Sequence, residues 1–171
     1  MEITLTAPTT AHRKAVWEYR NEFMKSGDSI DGGGGLRQAE SFEAWYAALC
    51  DNSCERTVRQ GLVPATTLLA FNRGQKLVGM ADIRHYLNDY LLAVGGHIGY
   101  SVRPSQRKKG YATQILAQAL TVCKELGIKR CLVTCDKNNV ASAKVIVRNG
   151  GELENEVIQD GVLIQRYWIV L

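Results

Sequence analysis

The chain has little of what marks membrane, secreted or disordered proteins. None of its apolar stretches approaches the ~20 residues that a membrane-spanning helix needs. The start, MEITL, has no basic segment followed by an apolar run, so we expect no signal peptide and predict a cytoplasmic location without membrane partners. Hydrophobic residues make up 46% and charged residues 22% of the 171 positions, which favours a folded chain. A chain of this length is expected to form one domain, residues 1–171.

Cysteine is also scarce, with five residues, and the paired C-x2-C spacing of a zinc site is missing. The odd number and the absence of a secretory signal predict free thiols and no metal. Cys131 and Cys135 lie four positions apart in a strand-like run, which predicts that they share one face and pack in the core.

An excess of charge of one sign is missing as well. The net charge of +4 is mild, so no nucleic-acid partner is required. Four of the positive charges nevertheless fall within seven residues, at Arg103, Arg107, Lys108 and Lys109. Such a run is usually a solvated surface, but Gly110 follows directly, and this favours a binding site for an anion.

The hydrophobic pattern predicts a mixed α/β (α+β) fold with more strands than helices. Helices are expected near residues 9–25, 40–49, 111–126 and 139–149. Strands are expected at 2–7, 67–71, 77–83, 97–102, 130–134, 152–158 and 162–170. The segment SGDSIDGGGG, residues 26–35, is predicted to be a flexible loop, because four consecutive glycines have no preferred conformation. It is interpreted as a connector in preference to a substrate lid.

The segment QRKKGYAT, residues 106–113, follows a strand and opens the clearest helix. Unpaired N–H groups at a helix start attract phosphate, and a glycine lets an anion approach the backbone closely. The phosphate-binding patterns G-x-x-x-x-G-K-[ST] and G-x-G-x-x-G are absent, which argues against an NTPase or a dinucleotide enzyme.

The pattern Arg107-x-x-Gly110-x-Ala112 resembles the pyrophosphate loop of the GNAT acetyltransferases, [Q/R]-x-x-G-x-[G/A]. A second pattern of that family, N-x-x-[AS] opening a helix that ends in glycine, is matched by NVAS at 139–142 and by Gly150. The segments GGHIGYSVRP, IRHYLNDYL and QRYW are similar to one bacterial subgroup of the family whose acceptor is unassigned.

The resemblance implies a GNAT fold, with a central, mostly antiparallel, twisted sheet flanked by helices. It implies an acetyl-CoA-dependent N-acetyltransferase that transfers acetyl to a primary amine of a small molecule or peptide. The backbone N–H near Val102 would stabilise the oxyanion, and the strand end would pair with the pantetheine arm. The implied cofactor-binding residues are Tyr100, Val102, Arg107, Lys108, Lys109, Gly110, Tyr111, Ala112, Thr113, Asn139 and Ser142.

The acid–base groups are less clear. In histone-type members a Glu lies ten positions before the Arg or Gln of the loop, and here that position is His97. A histidine suits a general base, but an ordinary histidine in a half-buried strand is an equally good interpretation. The tyrosine that often acts as general acid in the last helix is replaced by Ile146. Tyr100 and Tyr111 are candidate donors, with core packing the favoured role for each.

Several alternatives stay open at this point. Arg84, His85, Asn88 and Asp89 could line an acceptor pocket, although a solvated connection is the favoured interpretation. A non-catalytic CoA-binding regulatory or sensor module would explain the missing tyrosine, and a nucleic-acid-binding domain would explain the basic run. The sequence does not decide between a monomer and a homodimer.

Overall fold

A computed structural model describes residues 2–171, with four α-helices and seven β-strands in that part of the chain. The helices are α1 Arg13–Ser26, α2 Phe42–Asn52, α3 Tyr111–Glu125 and α4 Val140–Arg148. The strands are β1 Ile3–Thr6, β2 Ala65–Asn72, β3 Leu77–Arg84, β4 Ile98–Val102, β5 Arg130–Asp136, β6 Glu152–Gln159 and β7 Val162–Val170. The predicted mixed α/β fold is confirmed.

The strands form two antiparallel sheets that meet at one point. The order is β1-β2-β3-β4 in the first sheet and β5-β7-β6 in the second. At the start of β4, the His97 N–H donates to the Leu132 carbonyl over 2.7 Å, and the Leu132 N–H donates to His97 Nδ1 over 2.9 Å. Beyond this junction β4 and β5 belong to separate sheets, so a gap opens between them.

Apolar side chains cover both faces of the first sheet. Side chains alternate across a strand, and β2 accordingly sends Leu68 and Ala70 to one cluster and Leu69 to the other. The first cluster packs against α3 and includes Ile115 and Cys123. The second cluster packs against α1 and α2, and its members are Val16, Tyr19, Phe23, Leu36, Phe42, Trp45, Leu69, Leu77 and Met80.

Local sequence signals explain the ends of the helices. The Ser41 hydroxyl accepts from the Ala44 N–H and begins α2, and the Asn139 side chain accepts from the Ser142 N–H and begins α4. Gly127 follows α3 with φ +79, a left-handed conformation in which a helix stops readily at glycine. Helix α4 forms despite the β-branched run 145–147, because Ile146 is fully buried in the core.

The glycine-rich segment is a loop, as predicted, and part of it packs closely against neighbouring segments. A Cβ on Gly32 would lie 2.2 Å from the carbonyl oxygen of Gly99, so only glycine permits this approach to β4. Trp45 Nε1 donates to the Gly33 carbonyl over 2.8 Å, and Arg20 donates to three carbonyls of residues 36–39. The glycines therefore allow close backbone packing in this segment.

Three further observations concern the remaining predictions. Across residues 2–171, no helix is both long enough and apolar enough to cross a membrane. The same residues contain no group of three or more His, Cys, Asp or Glu side chains that could hold a metal ion. All five cysteines are free thiols, and Cys131 and Cys135 are both buried, as predicted.

Candidate active site

The loop before α3 has the backbone of an anion cradle. Lys108 has φ +61 and Gly110 has φ +78, so two left-handed residues precede the free N–H groups of the first turn of α3. Alternating backbone conformations of this kind turn successive N–H groups toward one spot, and the helix dipole adds positive potential there. A Cβ on Gly110 would meet nothing within 4 Å, so the space above the loop is open. The geometry fits a pyrophosphate group.

The basic residues around this loop have different partners. Arg103 is buried, and its guanidinium pairs with Glu22 of α1 at 2.5 Å, so its predicted membership of the anion site is not supported. Glu22 also accepts from the Ser105 N–H at 2.6 Å and so ties the loop to α1. Burial raises the pKa of Glu22, but the Ser105 N–H and Arg103 together hold that pKa below its usual value.

Arg107 lies at the rim of the loop. One of its Nη atoms lies 2.7 Å from an Asp28 carboxylate oxygen, and its Nε donates to the Val102 carbonyl over 3.2 Å. Lys108 and Lys109 are exposed, and Lys109 donates to the Gln106 side chain. Three cations therefore surround the cradle on its solvent side.

The gap between β4 and β5 forms a cavity of about 440 Å³, which we call the strand cleft. It is lined by Ser29, Asp31, Gly32, Arg84, Gly95, Ile98, Gly99, Tyr100, Thr134, Cys135, Asp136, Asn139, Ser142 and Ile164. Three of the predicted cofactor-binding residues, Tyr100, Asn139 and Ser142, come together here from β4 and α4.

The backbone of Val102 faces the same gap. The Arg103 N–H donates to the Val78 carbonyl of β3 over 2.8 Å. Because successive N–H groups of a strand point to opposite edges, the Val102 N–H points away from β3. This is the orientation that the predicted oxyanion role requires.

Two hydroxyl groups bridge the strand cleft. The Tyr100 and Ser142 hydroxyl oxygens lie 2.7 Å apart, joining β4 to α4. Burial raises the pKa of Tyr100 to about 12, so its phenol stays protonated at neutral pH. Ile146 is fully buried in the core. The side chain of Tyr111 is also buried there, so only the backbone of Tyr111 belongs to the cradle. Of the two candidate donors, the structure brings Tyr100 to the cleft and Tyr111 to the core.

His97 is held by the backbone of β5. Its Nδ1 accepts the Leu132 N–H, so in the neutral ring the proton is on Nε2 and neither nitrogen has a free lone pair. Burial, together with the positive charge of Arg84, lowers the pKa of His97 to about 4. These contacts favour the interpretation of His97 as an ordinary buried histidine that joins the two sheets. Its role as a general base stays a prediction.

A second cavity of about 680 Å³ lies against α2, and we call it the α2 cavity. Its walls come from the glycine-rich segment, α2, residues 59–63, the strands β2 and β3, and residues 88–91. Arg84 and Asn88 line it, whereas Asp89 is exposed and His85 Nε2 lies 2.8 Å from the Thr66 hydroxyl. Two of the four residues of this polar cluster thus line a cavity, and their contact with an acceptor stays a prediction.

Sequence reasoning missed Asp82 and Thr67. Asp82 is buried on β3, where its Oδ1 accepts from the Thr67 hydroxyl over 2.7 Å and its Oδ2 lies 3.1 Å from Arg84 Nε. The available signal was a single charged residue inside the apolar strand LVGMADI. A buried carboxylate in such a strand needs partners, and here Thr67 and Arg84 supply them.

The sequence model of the Acetyltransferase (GNAT) domain matches residues 2–152. The chain belongs to the GNAT acetyltransferase family. This confirms the predicted family, fold and class of enzyme. A comparison with curated proteins finds no significant match.

Solved structures share the GNAT fold at low sequence identity. RimL, a ribosomal L7/L12 α-N-protein acetyltransferase in complex with coenzyme A, is 19% identical with a TM-score of 0.72, over 99% of this chain and 94% of RimL. The structure of yncA from Salmonella typhimurium with its cofactor acetyl-CoA is 16% identical with a TM-score of 0.64, over 99% and 94% of the two chains. The spermidine/spermine N-acetyltransferase SpeG from Vibrio cholerae, in mutant forms, is 14% identical with a TM-score of 0.65, over 99% and 95%.

Proposed function

We propose that residues 1–171 act as one GNAT domain that transfers acetyl from acetyl-CoA to a primary amine by direct attack in a ternary complex. The observation that supports this most is the cradle itself, where Lys108 and Gly110 in left-handed conformations precede the free N–H groups of α3. The pyrophosphate would bind the N–H groups of residues 108–113, with Arg107, Lys108 and Lys109 supplying charge. The pantetheine arm would run along β4 into the cleft, and the thioester would lie near the Val102 N–H.

Direct attack is favoured over a covalent acyl-enzyme by the state of Cys135. Among the described residues, this is the thiol that lines the strand cleft. Burial and the neighbouring Asp136 raise the pKa of Cys135 to about 11, so the thiolate needed for nucleophilic attack is scarce at neutral pH. The acceptor amine is therefore the nucleophile in our proposal.

The chain's own groups would act on the charge that develops during transfer. The Val102 N–H would donate to the oxyanion, and the Tyr100 hydroxyl, held by Ser142, would donate to the departing sulfur. A thiol has a pKa of about 8.5, whereas that of Tyr100 is about 12, so Tyr100 would hydrogen-bond to the thiolate without giving up its proton. The amine would lose its proton to water, because neither nitrogen of the neutral His97 ring has a free lone pair.

The proposal is tested by acetyl-CoA binding and by CoA release with a panel of amines. The names of RimL and SpeG indicate a protein N-terminus and a polyamine as acceptors of those proteins, so the panel includes both, with amino acids and aminoglycosides. We expect saturable binding of acetyl-CoA and release of CoA with at least one class of amine. Double-reciprocal plots of initial velocity should give intersecting lines. Parallel lines, together with an isolated enzyme acetylated on cysteine, would contradict direct transfer.

A CoA-binding sensor is the second candidate, because Ile146 occupies the position of the usual tyrosine and is fully buried. Tight acetyl-CoA binding without CoA release across the whole panel would favour the sensor over the enzyme.

A further inference from the structure

Arg84 lies at the junction of the two cavities. It ends β3, and of residues 2–171 it alone lines both the strand cleft and the α2 cavity. Its side chain is 25% exposed, so the guanidinium is reachable from the open space. A molecule bound in either cavity can therefore contact this charge.

The guanidinium of Arg84 is held on its Nε side. Its Nε faces Asp82, and Asp82 is held in turn by the Thr67 hydroxyl. Within residues 2–171 the two Nη atoms of Arg84 have no hydrogen-bond acceptor. Both are accessible, because neither is among the fully buried side-chain atoms that lack a partner. One of them lies 3.4 Å from where a Cβ on Gly99 would stand, so it reaches the floor of the strand cleft. The structure thus presents unpaired, accessible N–H donors at the junction.

The two cavities surround this guanidinium with different surfaces. The strand cleft has two carboxylates, Asp31 and Asp136, among its lining residues. The walls of the α2 cavity are largely apolar and include Trp45, Ala48, Leu49, Leu62, Val63 and Leu91. Arg84 is thus the cation common to both cavities, with two carboxylates on the strand-cleft side. On the other side, the largely apolar wall also includes Glu40, Arg59 and Asp82.

We propose that the acceptor is an α-amino acid with an apolar or aromatic side chain. Its carboxylate pairs with the two Nη groups of Arg84, its amine lies in the strand cleft beside Gly99, and its side chain fills part of the α2 cavity. A planar guanidinium with free N–H donors matches a carboxylate in geometry and charge. This inference rests on the proposed function and specifies its acceptor.

The chemistry follows from this placement. The carboxylates of Asp31 and Asp136 in the strand cleft attract the ammonium form of the amino acid, which loses a proton before it attacks. The amine nitrogen attacks the thioester carbon, the C–N bond forms, the C–S bond breaks, and the amine proton passes to water. The products are an N-acetyl amino acid and CoA, with no oxidation or reduction.

The test compares each amino acid with the amine that lacks its carboxylate. The pairs are phenylalanine and phenethylamine, tryptophan and tryptamine, and leucine and isoamylamine, each measured with wild type, Arg84→Gln and Arg84→Lys. We expect wild type to prefer at least one acid by about 10–100-fold in kcat/KM, the value of hydrogen bonds to a charged group. In Arg84→Gln that preference should fall to within about threefold, with Arg84→Lys between the two.

Other outcomes have definite meanings. An equal loss of kcat/KM for acid and amine would mean that Arg84 acts on the thioester, and this would overturn the proposal. Turnover of polyamines or peptides without any amino acid would overturn it while leaving the acetyltransferase intact. Absence of acetyl-CoA binding would instead refute the proposed function. If Arg84→Gln fails to fold because Asp82 loses its partner, Arg84→Lys keeps the charge pair and still tests the preference.

Discussion

The cradle with the strand cleft and the α2 cavity are built in different ways. The cradle is backbone: a run of N–H groups at the start of α3, shaped by Lys108 and Gly110 in left-handed conformations. The α2 cavity is lined mostly by side chains, which come from six segments of the chain. The backbone site needs particular residues at fixed spacing, so it leaves a pattern in the sequence. The side-chain site can be built from many residue combinations, so it leaves none.

The largest effect is expected from a substitution that places a side chain in the cradle. Gly110→Glu puts a negative side chain where the pyrophosphate would bind, and like charges in contact cost enough to weaken binding by more than about 10²-fold. Calorimetry should find no measurable acetyl-CoA binding in the folded variant. Gly127→Glu is a matched control at the other end of α3, since Gly127 has φ +79 and open space around it. Both variants strain the backbone equally, so unchanged binding in Gly110→Glu would refute the cradle.

The sequence predicted the cradle and most elements, and the reasons are local. Helix α3 has an apolar stripe, a glycine at each end and a basic run before it, and all of these act over short distances. The packing of Gly32 on Gly99 depends on residues 67 positions apart, so the run of glycines gave no sign of it. The same holds for Arg84, whose role depends on Asp82, Thr67 and the two cavities that the fold brings together.

His97 gives the second largest expected effect, on stability. His97→Ala leaves the buried Leu132 N–H without an acceptor, which should lower the free energy of unfolding by about 1–3 kcal/mol. His97→Asn offers an oxygen to the same N–H and should recover part of the loss. Activity per folded molecule should stay within about threefold of wild type. A loss of about 10²–10⁴-fold in kcat/KM in both variants would instead establish His97 as the base.

The pH dependence of stability tests whether His97 is buried in its neutral form. The pKa of His97 is about 4 when folded and about 6.5 when unfolded, so the unfolded chain binds the proton first. The stabilisation is present above pH 6.5 and is lost as the pH falls toward 4, with a limiting slope of about 1.4 kcal/mol per pH unit. Chemical denaturation of wild type and His97→Asn between pH 7 and 4 measures it. Parallel curves for the two proteins would contradict the lowered pKa.

Tyr100 should have a smaller effect, confined to the chemical step. Tyr100→Phe removes the hydroxyl that faces Ser142 and, in our proposal, the departing sulfur. Loss of one hydrogen bond to a developing charge predicts a fall of about tenfold in kcat with unchanged acetyl-CoA affinity. Tyr111→Phe is the matched control, because that hydroxyl lies away from the strand cleft near Asn72. Equal effects of the two substitutions would mean that Tyr100 supports packing alone.

The smallest effect is expected at Asp28, which pairs with Arg107 at the rim of the cradle. The Arg107 hydrogen bond and charge lower the pKa of the Asp28 carboxyl, so the pair is ionised at neutral pH and competes with any anion that needs Arg107. Both side chains are more than 40% exposed, so the pair is weak. Asp28→Asn should therefore tighten acetyl-CoA binding by only about two- to fivefold.

Asp160→Asn changes the net charge equally at a residue that lines neither cavity, and should leave affinity unchanged. The gain should shrink at high salt, because exposed charges are screened. Weaker binding in Asp28→Asn would mean that Asp28 positions Arg107 for the pyrophosphate instead of competing with it.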